Sequence, residues 1–284
     1  MQHVFPPHPV IVMAAPNGAR RTKTDHPAIP ISVAEIAADA RLCQEAGAAA
    51  FHLHVRDDEG RHSLDPHRYA QAIAAIRSAT GDDLVIQITT EAAGLFAPPD
   101  QMEAVRGCDP DAVSIAMREF VAPGEDGAEF AGFLAETLFR GIAVQIILYD
   151  ADDLARLKAI AMQHKLDAAK LSVLYVLGRY VENQAAAPDA LLPFFVGRKA
   201  SPCVQFRDEM VCAFGRHEHA CVMAGALFGA HIRVGFENNF HLIGGDMAPG
   251  THTLVVQACR ALHTNGLRTA TASEARAIWG IGGG

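Results

Sequence analysis

The chain has 284 residues, half of them hydrophobic and 20% charged, with a formal net charge of −8. That acidic balance argues against a nucleic-acid or anionic-membrane surface and leaves room only for a local basic pocket. No linker or low-complexity run breaks the composition, so one domain spanning 1–284 is expected, long enough for a large core.

Residues 1–9 hold three prolines and two histidines where a secretory leader would carry a basic start and an apolar run. No apolar segment approaches the ~20 residues of a membrane span. Six scattered cysteines, Cys43, Cys108, Cys203, Cys212, Cys221 and Cys259, form no Cys-x-x-Cys pair and read as reduced thiols of a cytoplasmic protein. The apolar run 10–15 ends in Pro16-Asn17-Gly18, a buried parallel strand followed by a turn. The loop 18–27 is polar and basic, and such loops carry function on rigid scaffolds. Ser32-Val33-Ala34-Glu35 has the form of a capping box opening an alanine-rich helix to Gly47. The stretch 51–57 then places His52 and His54 in a β-prone run, where side chains at i and i+2 share a face. Asp58-Glu59-Gly60 is a turn, and Asp65-Pro66 opens a helix over 66–80.

Further strands are expected over 84–90, 112–115, 142–148 and 170–175, with helices near 99–106 and 128–139 and another capped by 150–153. The region 181–198 is the least regular, with Pro193 interrupting any long helix. A strand over 210–214, a helix over 216–227, a strand over 231–235 and a helix over 251–264 close the chain. Eight apolar runs alternating with helical patterns imply a parallel sheet, and this length favours an α/β fold of the (β/α)8 TIM-barrel kind. An open doubly wound sheet would need a glycine-rich phosphate loop after the first strand, where only Asn17-Gly18 stands.

In a barrel the active site lies at the carboxyl ends of the strands. Those ends carry Asn17 and Arg20, His52 and His54, Thr89 and Thr90, Ser114 and Glu119, Gln145, the run 215–219, and Arg233 with Glu237, Asn238 and Asn239. Two converging imidazoles suit a divalent metal such as zinc, although in an isolated His-x-His one histidine serves equally well as a hydrogen-bonded core residue with the other at a strand end. Glu237 is the natural third ligand, because the last strand of a closed barrel lies beside the first and near the second. Two histidines and a carboxylate leave a position open for a substrate carbonyl or water. Arg20, Asn17, Ser114, Glu119 and Gln145 are candidate substrate contacts. His217-Glu218-His219 begins a helix, where i and i+2 diverge. His62 and His67 read as surface side chains, and 57–59 as a charged turn from which Asp57 or Arg56 braces the histidines.

At these positions the chain resembles the β-keto acid cleavage enzymes. The resemblance spans nearly the whole sequence and rests on Ala14-Ala15-Pro16-Asn17-Gly18-Ala19, Pro30-Ile31-Ser32, Ala46-Gly47-Ala48, His52-Leu53-His54-Val55-Arg56-Asp57, Gln87-Ile88-Thr89-Thr90, Gly215-Arg216 and His231-Ile232-Arg233-Val234-Gly235-Phe236-Glu237-Asn238-Asn239. It implies a TIM barrel that assembles as a homo-oligomer, tetramer or dimer, and binds zinc through His52, His54 and Glu237. It also implies a retro-Claisen exchange in which a β-keto acid and acetyl-CoA give acetoacetate and a new acyl-CoA. Arg233 and Thr89 would orient the base and the substrate carboxylate.

The chain departs from the family at three acidic positions. The usual Glu-Asp-Asn is Glu237-Asn238-Asn239 here, and asparagine at the catalytic position cannot accept a proton at neutral pH. An acid after the first-strand glycine is Arg20, and a fifth-strand glutamate is Gln145. These changes point to an anionic or neutral substrate rather than an amino-bearing one, with Arg20 able to clamp a distal carboxylate and Glu91 or Glu119 replacing the base. A zinc lyase or hydrolase that does not use CoA, and a metal-binding member without the activity, stand as the alternative readings.

Overall fold

Apolar and amphipathic segments alternate along the chain and fold as strands and helices in turn, in a computed structural model that describes residues 9–180, 185–200 and 203–282. The first strand, β1 (Val12–Ala14), is fully buried. Helix α1 (Val33–Glu45) starts at the expected box: the Ser32 hydroxyl accepts from the Glu35 N–H, and the Glu35 carboxylate accepts from the Ser32 N–H. Strand β2 (Ala50–Leu53) ends one residue before His54, and a short hairpin follows, β3 (Val55–Arg56) against β4 (His62–Ser63). The continuous strand expected over 51–57 is therefore broken. The Asn17 side chain donates to the His54 carbonyl at 3.2 Å, and the chain leaves the sheet at that point.

Helix α2 (Pro66–Thr80) is capped by Asp65 with proline in its first turn. Next come β5 (Val85–Thr89), α3 (Pro98–Arg106), β6 (Ala112–Ala116) and a one-turn helix α4 (Met117–Phe120), which the sequence reading did not anticipate. They are followed by α5 (Ala128–Phe139), β7 (Ala143–Leu148), α6 (Ala151–Gln163) under its Asp150 cap, and β8 (Leu171–Leu177). Pro193 starts a helix instead of breaking one. It falls in the first turn of α7 (Leu192–Ala200), where a missing N–H leaves no bond unmade. Residues 181–184 of the irregular region lie outside the described residues. The chain continues through β9 (Glu209–Ala213), α8 (Glu218–Leu227), β10 (His231–Val234) and α9 (Thr251–Thr264).

Helix α9 is not the last element. A tenth helix, α10 (Ala272–Trp279), opens with its own capping box at Thr271 and Glu274. Its Trp279 and Ala275 pack with Ile11, Met13 and Val85, and Arg276 reaches Asp111 at 2.8 Å. Eight parallel strands close in the order β1-β10-β9-β8-β7-β6-β5-β2, with β2 pairing back to β1, which is the (β/α)8 barrel. Pairing sets His52 level with Gln87, and Thr89, Ser114 and Gln145 level with one another. All six cysteines are free thiols. Among the described residues no helix is long and apolar enough to cross a membrane.

Candidate metal centre and pocket

His52, His54 and Glu237 meet above the carboxyl ends of β2 and β10. Nε2 of His52 is 3.1 Å from Nε2 of His54, and Oε2 of Glu237 is 3.5 Å and 3.7 Å from the two. A tetrahedral ion with ligand bonds of ~2.0–2.1 Å spaces its ligands by about 3.3 Å, so the triangle has the right size for one. Glu237 Oε1 accepts from Arg233 Nη2 at 3.1 Å, whereas the buried Oε2 has no hydrogen-bond donor. A buried carboxylate oxygen without a donor is costly. This one faces two imidazole nitrogens, and together the three groups fit a divalent cation. Among the described residues no other three His, Cys, Asp or Glu side chains converge this closely.

The protonation states agree with that fit. Burial pushes His52 down to about 4 against the attraction of Glu237, and burial with neighbouring cationic groups holds His54 well below the usual histidine value. Both are therefore neutral at pH 7, the form that ligates metal. Burial alone would raise the Glu237 carboxyl, but Arg233 and His52 outweigh it and hold it below its ordinary value. With Nε2 of His52 turned to the centre, Nδ1 donates to Gln87 Oε1 at 2.8 Å. Gln87 Nε2 in turn donates to Gln145 Oε1 at 3.2 Å. His54 Nδ1 has no partner.

Two glycines let the loops approach. Gly18 has φ +64°, and a Cβ there would lie 2.6 Å from Glu237 Cγ. Gly235 has φ +145°, and a Cβ there would collide with the Ala15 carbonyl. Arg56, buried, donates to the carbonyls of Gly18, Ala19 and Arg21. It braces the loop after β1, not the histidines. Asp57 is a charged-turn residue paired with Arg61 at 2.7 Å.

A cavity of about 170 Å³ opens over the triad, and His52, Glu237, Arg233, Thr89, Arg20 and Glu91 all line it. Arg233 is 2% exposed, and its Nε and Nη1 have no partner. Thr89 is buried, with its hydroxyl accepting from the Glu91 N–H at 3.0 Å. Arg20 is exposed at the rim and donates to the Ala93 carbonyl at 3.3 Å. The other candidates stand back from this cavity. Asn17 donates to the Pro30 and His54 carbonyls, Ser114 is buried within β6, and Gln145 lies behind Gln87. Glu119 Oε2 accepts from the Ala92 N–H and from Gln101. Asn238 is buried with neither amide atom partnered, and it lines a neighbouring groove.

Two polar residues that line the cavity were absent from the sequence reading, and a third, His62, lies elsewhere than expected. Arg179 and Tyr149 line the cavity, and Arg179 holds Glu91 at 3.1 Å while its guanidinium lies 5.0 Å from the Phe214 ring centroid. Burial, reinforced by Glu237, raises the Glu91 carboxyl to about 7. His62 is not a surface side chain. The β3–β4 hairpin folds it inward to 6% exposure, its Nε2 donates to the Glu91 carbonyl at 2.7 Å, and its ring is 5.4 Å from that of His54. His67 and His217 are exposed.

Known proteins resemble this chain over its full barrel. Residues 9–281 match the family model described as beta-keto acid cleavage enzyme. The chain is 29% identical over 276 residues to the 3-keto-5-aminohexanoate cleavage enzyme of Fusobacterium nucleatum subsp. nucleatum, with 95% of this chain and 97% of that one covered. It is 29% identical over 282 residues to the 3-oxoadipate:acetyl-CoA acetyltransferase of Cupriavidus necator, with 96% and 95% covered. A solved structure of ObcA, in ternary complex with a C4-CoA adduct and oxalate, shares the fold with TM-score 0.69 at 17% identity, over 90% of this chain and 68% of that one.

Proposed function

The chain belongs to the beta-keto acid cleavage enzyme family, and from that membership we propose that it exchanges acyl groups between a β-keto acid and acetyl-CoA. The products are acetoacetate and a new acyl-CoA, and zinc held by His52, His54 and Glu237 is the cofactor. The observation that carries this reading is Arg233. It is a buried guanidinium with one nitrogen committed to Glu237 and two donors open beside the triad.

A divalent ion in the triad would supply Lewis-acid polarisation of the keto and carboxylate oxygens. Arg233 receives the substrate carboxylate through charge-assisted hydrogen bonds, and Thr89 offers its hydroxyl proton from the same wall. Asn238 cannot take a proton. Of the two replacement carboxylates, Glu119 accepts from Ala92 and Gln101 and stands back from the cavity, whereas Glu91, paired with Arg179 through Oε1, lines the cavity with its acidity moved to about 7. Glu91 therefore accepts the C2 proton of the keto acid and returns it to C2 of acetoacetate. Between those two transfers C2 bonds to the acetyl carbon as the acetyl C–S bond breaks and releases CoA thiolate, the thiolate then adds to the original keto carbon, and the C2–C3 bond breaks. Arg20 at the rim, with no carboxylate partner among the described residues, favours a distal carboxylate or a neutral group over an ammonium.

A panel of dicarboxylic, uncharged and amino-bearing β-keto acids, each with and without acetyl-CoA and read by mass spectrometry, tests the proposal. New acyl-CoA from the first two classes is expected. Preference for the amino-bearing substrate would overturn the assigned substrate class. Cleavage without acetyl-CoA would identify a CoA-independent lyase or hydrolase, and a zinc-loaded protein that consumes nothing would be a binding protein.

A further inference from the structure

Beside the metal pocket, between the loops that follow β9 and β10, lies a second groove of about 500 Å³. Arg21 lines both spaces, and Glu237 and Asn238, adjacent in sequence, line one each. The two are thus neighbours, meeting at Arg21. The groove carries two guanidinium groups, Arg216 and Arg21, the second also paired with Asp25 at 3.6 Å, and among the described residues no acidic side chain lines it. Arg216 is exposed and makes no ion pair with any described residue. The ten-residue helix α8 also begins here, at His217, which gives its first turn no side-chain cap, and the one acid of that turn, buried Glu218, is turned to the Gly235 N–H at 3.1 Å. The loops after the seventh and eighth strands are where barrels of this class commonly hold phosphate.

Asn238 supplies a second, independent observation. It is 1% exposed, and neither its Oδ1 nor its Nδ2 has a partner. Its backbone carbonyl accepts from the Gly215 N–H at 3.0 Å and ties the two loops together. A buried amide with both ends open asks for a ligand that donates and accepts side by side, which is what another amide does.

From these features we infer that the groove holds the tail of the CoA co-substrate, with Arg216 and the α8 N-terminus on its phosphates and Asn238 on a pantetheine amide. The thioester end then points past Arg21 into the metal pocket. The inference rests on the acyl-exchange reading above. It also gives asparagine at position 238 a task that proton transfer does not.

Calorimetric titration of the zinc-loaded protein with CoA, pantetheine and inorganic phosphate tests it in wild type, Arg216→Ala and Arg216→Lys. Wild type should bind CoA at least tenfold more tightly than pantetheine. Arg216→Ala should lose roughly ten- to hundredfold in CoA affinity, the range of a charge-assisted contact, with pantetheine affinity changed less than twofold and much of the CoA loss restored in Arg216→Lys. Equal CoA affinity in wild type and Arg216→Ala, or an equal loss for pantetheine, would refute the assignment. Inorganic phosphate binding as tightly as CoA would give the groove to a small phosphorylated compound and refute it too. CoA binding with these ratios but without turnover would count against the exchange reading alone.

Discussion

Replacing Gln87 by leucine should loosen the metal centre without touching a ligand. Gln87 accepts from His52 Nδ1 at 2.8 Å and donates to Gln145 at 3.2 Å, so one amide fixes both the tautomer and the ring orientation of a ligating histidine. Outer partners of metal-bound histidines are worth ~10–100-fold in metal affinity, or about 1.4–2.7 kcal/mol. Leucine also leaves Gln145 Oε1 without its donor, which costs about 1–3 kcal/mol of folding stability. The assay is competitive zinc titration against a chromophoric chelator, with far-ultraviolet circular dichroism to show that the barrel is intact. Gln87→Glu keeps an acceptor towards His52 and should retain affinity. Zinc affinity of Gln87→Leu within twofold of wild type, in a folded protein, would show that Gln87 does not orient His52.

Gly18→Ala should weaken zinc binding and lower the melting temperature, because φ +64° costs alanine about 1–2 kcal/mol and the new Cβ, 2.6 Å from Glu237 Cγ, displaces the carboxylate; unchanged metal content and melting temperature would count against it. Glu91→Gln should lower kcat by ~10²–10⁴-fold with zinc retained, the range of a general base; an activity within threefold of wild type would return the search for the base to other groups. Asp39 on α1 is buried and its carboxyl is raised to about 7 by burial. Its contribution to stability is full below pH ~4 and is lost as pH rises through about 7, a change of up to about 4 kcal/mol. Denaturant titrations at pH 4 and pH 8 should therefore show Asp39→Asn gaining on wild type as pH rises, and parallel pH curves would contradict that.

Most of the barrel was legible in the sequence because its strands are short apolar runs bounded by turn residues, and because Ser32, Asp65 and Asp150 announce the helices that they cap. The metal triad was legible for a related reason: strand periodicity brings His52 and His54 together, and closure of a barrel brings Glu237 to them. What escaped depends on contacts across the fold. Nothing local to His62 says that a hairpin turns it inward to the Glu91 carbonyl. Gln87 was visible as part of a motif, but its bond to His52 follows from the register of β2 against β5. Arg179 had a usable signal: β8 runs two residues beyond the expected end at 175, to Leu177, and places Arg179 at the barrel mouth. Helix α10 had one as well, in the capping box of Thr271 and Glu274.

The central claim is acyl exchange at the triad, and the most direct measurement uses acetyl-CoA labelled with carbon-13 in its acetyl group, together with an unlabelled β-keto acid. Zinc-loaded protein should place the label in acetoacetate and produce an unlabelled acyl-CoA from the keto acid, with both products lost after chelation or in His52→Ala and restored to wild type by zinc. Consumption of the keto acid with no label in acetoacetate, or exchange that survives in His52→Ala, would contradict the account.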